Sequence, residues 1–184
     1  MIEIRVLTLS DLAIAEAHMA EHARENGTDG DVHFMPYDRS YPLVASAFIE
    51  KRRKSWAAQM GGAEPWERMW GLFEGGDLCG HVDLHQGGLS TMSHRVTLGL
   101  GLRRSHRGRG LGRRLTETAI DWAKLQPTLS WLDLNVFAAN TRALRLYQAL
   151  GFQELGRTPD LFRLDGVSID DVAMTLPLRG QALR

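Results

Sequence analysis

Apolar and polar residues alternate over 2–7 (IEIRVL), the pattern of a short strand, and the period then lengthens to that of a helix. Ser10 is the expected cap of the stretch SDLAIAEAHMAEHARENG, which Gly27 ends. Residues 27–42 are rich in Gly, Asp and Pro and read as a long loop, and a second helix is expected through LVASAFIEKRRKSWAAQM, residues 43–60. WERMWGLF and LCGHVDLH flank EGGD, a hairpin signal. HRVTLGLGL (94–102) alternates as a further strand and runs into a glycine-rich, arginine-rich stretch. From Leu111 the residues Leu111, Leu115, Ala119 and Trp122 fall on one helical face, and Pro127 follows that helix. WLDLNVF (131–137) is another strand. Asn140 caps a helix over TRALRLYQAL, which Gly151 closes, and a last hairpin turns at Asp165-Gly166.

The expected order is strand, two helices, three antiparallel strands, helix, strand, helix, hairpin: a mixed α/β chain of α+β type with a mainly antiparallel sheet. No composition break divides it, so 1–178 reads as a single domain with a short tail, 179–184. The 184 residues suffice for a substantial core.

Composition narrows the function classes. Lys and Arg total 22 and balance 22 Asp and Glu, so no global field holds a polyanion, and a dedicated nucleic-acid binder is disfavoured. The single cysteine, Cys79, rules out an internal disulfide and fits a reducing, cytoplasmic setting. No leader pattern or membrane-length apolar run is seen, so no membrane partner is expected. His18 and His22 lie one helical turn apart without a third ligand, so no metal is expected. His81, Asp83 and His85 share one strand face and read as solvated polar residues rather than catalytic ones.

The stretch RRSHRGRGLGRR, residues 103–114, holds six arginines between a strand and a helix. A helix start leaves up to four N–H groups unpaired with the positive end of the dipole beside them, which suits phosphate. The Gly-Lys-Ser/Thr ending of a nucleotide-binding P-loop is missing, and the glycines run G-x-G-x-G rather than G-x-G-x-x-G. What fits is R-x-x-G-x-G, at Arg107 to Gly112. With NTRALRLYQALGF (140–152), matching N-x-x-A-x-x-x-Y-x-x-x-G-F, it resembles the acetyl-CoA signatures of the GNAT superfamily of N-acetyltransferases.

The resemblance implies a sheet whose fourth and fifth strands splay, with the pantetheine arm of acetyl-CoA in the gap. It implies that the amides of Leu100 and Leu102 meet pantetheine. Amides of Arg107, Gly108, Arg109, Gly110, Leu111 and Gly112 would hold the pyrophosphate, and Asn140 would brace the arm. Tyr147 would be the proton donor to the leaving sulfur. The implied reaction is direct acetyl transfer to a primary amine, of a small molecule or a protein. A non-catalytic CoA-binding regulatory domain and a nucleic-acid module stand as alternatives, and a homodimer is left open. Many members place a glutamate base on the fourth strand, which here has no carboxylate, so His94 and Asp133 are the nearest titratable candidates. Residues 1–40 hold eight acids against three bases, and Asp29, Asp31 and Asp38 fall in the first loop. This predicts an acidic acceptor wall and a cationic amine.

Overall fold

The computed structural model describes residues 1–38 and 46–180; the part of the expected loop and second helix at 39–45, and the tail from 181, lie outside them. The elements are β1 (Ile2–Val6), α1 (Leu12–Glu25), α2 (Ser46–Ala57), β2 (Glu67–Glu74), β3 (Asp77–His85), β4 (Arg95–Leu102), α3 (Leu111–Leu125), β5 (Trp131–Phe137), α4 (Thr141–Ala149), β6 (Gln153–Leu164) and β7 (Val167–Pro177). The strands form one seven-stranded sheet in the order β1-β2-β3-β4-β5-β7-β6. Every pairing is antiparallel except β4 with β5.

Strand alternation sorts the sheet into two faces. Val82, Leu84, Val96, Leu98, Leu132, Leu134, Val136, Val172 and Met174 point to one face, where Leu111, Leu115, Ala119, Ile120 and Ala123 of α3 and Leu144 and Tyr147 of α4 complete the main core. Trp122, expected on the buried face of α3, is half-buried and meets the rings of Trp66 and Trp70 edge-on at 5.9 and 5.5 Å. The opposite face carries odd-numbered residues, except that the register shift at Leu72/Phe73 brings the even-numbered Leu78 of β3 onto it. Its β2–β3 part is covered by α1, with Leu7, Ala15, Met69, Phe73 and Leu78 as a second cluster.

Three local expectations change. Ser10 does not cap α1: a 3-10 turn at Leu9–Asp11 precedes the helix, with Thr8 as its cap. Asp11 accepts from the Thr8 amide at 2.9 Å and from Arg5 at 2.9 and 2.7 Å, bonds that hold its carboxyl well below the usual range. β6 is twelve residues long, far beyond the LFRL read as strand, because its edge position leaves it exposed and hides the alternation. Arg179, expected in a frayed tail, donates to the carbonyls of Leu129 and Gln126 at 3.1 and 2.7 Å.

Candidate active site

β4 and β5 pair only at Arg95↔Trp131, Val96↔Leu132 and Thr97↔Asp133, and then part. The Arg103 amide donates to the Cys79 carbonyl at 2.9 Å, so the odd-numbered backbone positions of β4 face β3. Leu98, Leu100 and Leu102 therefore turn their N–H and C=O groups toward the opening. Beyond β4, a cleft of about 850 Å³ runs from the α1 loop to β6 and is lined by Leu98 to Leu100, Leu102, Gly108, Gly110, Gly112, Asn140 and Tyr147.

At one end the chain turns through Gly108 and Gly110, with φ of 77° and 76°, a region that residues with a Cβ resist. A Cβ at either position would meet nothing within 4 Å, so the concave side is open. The Arg107 amide is committed to the Arg104 carbonyl (3.2 Å), and that of Arg114 to Gly110 (3.2 Å). Between them, the amides of Gly108, Arg109, Gly110, Leu111, Gly112 and Arg113 have no backbone partner among the described residues, and three of them begin α3. Gly112 serves a different end: a Cβ there would come to 3.3 Å from Leu102 and 3.5 Å from Leu146, so it lets α3 seat against β4 and α4.

The arginines around this turn face inward. Arg104 bonds Asp29 at 2.6 Å and Asp31 at 2.8 Å, and Arg107 bonds Asp31 at 2.6 Å, Glu25 at 2.5 Å and the Leu102 carbonyl at 2.9 Å. Arg103 pairs with Glu21 and Arg109 with Glu74. Glu25 also takes the Arg104 amide on both oxygens. Asp29 and Asp31 thus latch the α1 loop onto the glycine turn, while Asp38 accepts from the Asp165 amide at 3.1 Å. The expected acidic acceptor wall is corrected accordingly: these carboxylates are spent on the protein's own donors, and the side chain of Arg107 is a clamp.

Across the opening stand Tyr147 and Asp83. Tyr147 belongs to the core, its ring 5.6 Å from that of Phe152, and burial followed by the Asp83 charge raises its phenol pKa. Asp83 reaches the same opening from the odd-numbered face, because Gly99 lies opposite it in register. A Cβ at Gly99 would come to within 3.1 Å of both Asp83 carboxylate oxygens. His85 Nδ1 lies 2.9 Å from Asp83 Oδ2. Burial disfavours the charged imidazole, but the Asp83 bond and charge, with Glu67 behind them, outweigh it and raise the His85 pKa.

Neither base named from sequence sits there. His94 is exposed before the paired end of β4, where its carbonyl accepts from Ser130 and Trp131. Asp133 lies at the last paired rung, its carboxylate bound by Arg95 at 2.7 and 2.6 Å and by Thr175 at 2.6 Å. Asp83 and His85, taken from sequence as solvated strand polars, line the cleft instead. Asn140 caps α4 as expected, accepting from the Ala143 amide at 3.2 Å. Among the described residues no cluster of three or more His, Cys, Asp or Glu is arranged to hold a metal, and no helix is long and apolar enough to cross a membrane.

The fold is that of solved acetyltransferases. It superposes with a TM-score of 0.81 on a GNAT-family acetyltransferase from Streptococcus pneumoniae at 24% identity, covering 96% of this chain and 99% of that one. It also matches YncA of Salmonella typhimurium, a putative acetyltransferase solved with its cofactor acetyl-CoA, at TM-score 0.78 and 20% identity over 100% and 98% of the two chains. In sequence it is 30% identical over 104 residues to the N-alpha-acetyltransferase RimI of Mycobacterium tuberculosis, 56% of this chain and 63% of that protein. It is 44% identical over 61 residues to N-alpha-acetyltransferase 40 of Saccharomyces cerevisiae, 30% of this chain and 21% of that protein. The matched regions thus span less than two thirds of either relative. The model of the acetyltransferase (GNAT) family matches residues 35–152, well over half of the chain, and the protein belongs to that family.

Proposed function

We propose that the chain moves an acetyl group from acetyl-CoA to a primary amine by direct attack in a ternary complex. The observation that carries this reading is the parting of β4 and β5 beyond Thr97 and Asp133, with one side of β4 left unpaired along the opening. Pantetheine is an extended chain with two amides, and it suits the edge presented by Leu98, Leu100 and Leu102 as an added strand would. A pyrophosphate suits the six free amides from Gly108 to Arg113 and the dipole of α3. The acetyl-CoA held by the Salmonella relative, and the N-alpha-acetyltransferase relatives, support the same donor and an amine acceptor.

The roles follow from position. Asn140 orders the start of α4 beside the arm. An aliphatic amine with a pKa near 10.4 costs about 4–5 kcal/mol to present neutral at pH 7, so a proton acceptor is required. Asp83 takes the proton as the C–N bond forms, and the half-exposed His85 passes it on to water. The Tyr147 phenol, kept neutral by burial, donates to the departing sulfur. Its raised pKa makes full transfer uphill, so it acts by hydrogen bonding to the developing thiolate. A backbone N–H of β4 that faces the opening, at Leu100 or Leu102, would hold the carbonyl oxygen.

The test is thiol release from acetyl-CoA with a panel of primary amines, with the acetylated product identified by mass spectrometry. Amine-dependent release is expected. Tight CoA binding with no release for any amine would instead make the chain a CoA-binding regulatory domain.

A further inference from the structure

The far end of the cleft contains a carboxylate that the mechanism does not use. Asp171 on β7 is 3% exposed, lines the cleft, and has no hydrogen-bond partner for Oδ1; its other oxygen accepts only from Asn135 Nδ2. No ion pair joins it to a cation among the described residues. The contrast with Asp133 on the same face is direct: there Arg95 and Thr175 occupy both oxygens. A buried carboxylate oxygen without a donor is costly, and a ligand that supplies the donor accounts for it.

The surroundings define that ligand. Asp171 stands opposite Phe137 in the β5–β7 register and opposite Thr158 in β6. β6 advances four residues from Thr158 to Phe162 while β7 advances two, a bulge that keeps Phe162 on the same face. The Phe162 ring lies 5.4 Å from that of Phe137, and both line the cleft. An aromatic wall beside a lone buried carboxylate favours a cationic nitrogen carried on an apolar linker. From strand spacings, Asp171 on β7 lies about 12 Å from Gly99 on β4, two residues along and two strands across, a span that side chains reaching into the open cleft shorten.

We infer that Asp171, with Asn135, Phe137 and Phe162, forms a subsite for a second cationic nitrogen of the acceptor, so that the acceptor class is a diamine or an amine bearing a basic side chain. This rests on the amine-acetylation reading and adds the substrate class to it. It also moves the cationic preference from the first loop, where the acids are paired, to β7.

The full-length chain is assayed with acetyl-CoA and either cadaverine or hexylamine, which differ in one terminal nitrogen. A charged hydrogen bond predicts a preference of about tenfold to a hundredfold in kcat/KM for cadaverine. Asp171→Asn abolishes it while hexylamine turnover persists. Equal kcat/KM for the two amines overturns the subsite, and this wild-type comparison stands even if the variant fails to fold. Calorimetric binding of cadaverine to the CoA complex separates the two readings. Asp171-dependent binding without acetylation retains the subsite and removes amine transfer, whereas acetylation of both amines without discrimination does the reverse. Ala-Lys amide against Ala-norleucine amide distinguishes a peptide source of the second cation from a free diamine.

Discussion

Acid should unfold this protein earlier than its carboxylates require, because three histidines are buried together without charge. His18 Nε2 lies 2.9 Å from His81 Nδ1, and the His22 ring stands 6.0 Å from that of His18 and 5.8 Å from that of His81. Burial, with Arg103 nearby, holds His18 down to about 4; burial, with His18 and Arg107, holds His22 down to about 3; burial and the other two histidines push His81 well below 6.5. Groups with folded pKa below the unfolded value remain neutral in the native state and take up protons only on unfolding. Stability is therefore full above pH 6.5 and falls as pH drops from there toward 4. At pH 5, about 1.5 pH units below the unfolded value, each histidine removes about 2 kcal/mol, and the three together about 6.

Two groups work the other way. His85 and Glu67 have raised pKa values, but His85 is 46% exposed, so solvent screening limits its offset. A net loss of about 5 kcal/mol between pH 7 and 5 is of the same size as the whole stability of many domains. Urea titrations at pH 7, 6 and 5, followed by fluorescence of the buried Trp66 and Trp70, measure it. His22→Leu should flatten the dependence by about one proton. An unfolding free energy unchanged from pH 7 to 5 would refute the reasoning.

Gly110→Asp should abolish acetyl-CoA binding by calorimetry through its charge in the glycine turn, while stability falls only by the strain of a Cβ at φ 76°, about 1 kcal/mol, because no atom lies within 4 Å of that Cβ. Tyr147→Phe should lower kcat about a hundredfold or more in the thiol-release assay with little change in the KM for acetyl-CoA. Asp83→Asn should lower kcat by a similar factor in the same assay, and His94→Ala should leave it unchanged. Arg107→Ala removes one of the two donors that Glu25 and Asp31 each hold, Arg104 keeping the other, and should cost about 1–3 kcal/mol in a urea melt.

Local chemistry marked the elements that the chain builds from neighbours in sequence. The EGGD and Asp165-Gly166 turns, the Asn140 cap and the glycine turn before α3 were readable because each depends on a few adjacent residues. The site depends on cross-strand register, which no local pattern carries. Gly99 and Gly101, read only as part of an alternating strand, make room for Asp83 and His81 on β3, and His22 also crowds Gly101. A glycine alternation facing a polar alternation was the one available signal for Asp83. Asp29 and Asp31 misled for the same reason: their partners, Arg104 and Arg107, are more than seventy residues away in sequence. Asp171 left no trace in sequence, since DD in a hairpin strand reads as solvated.

The most direct measurement is amide hydrogen exchange with and without acetyl-CoA, resolved by residue. The account predicts that binding slows exchange at Leu100, Leu102 and Gly108 to Arg113, and leaves Gly99 and Gly101, already facing β3, unchanged. Saturating acetyl-CoA with no added protection at Leu100, Leu102 or the glycine turn would contradict it.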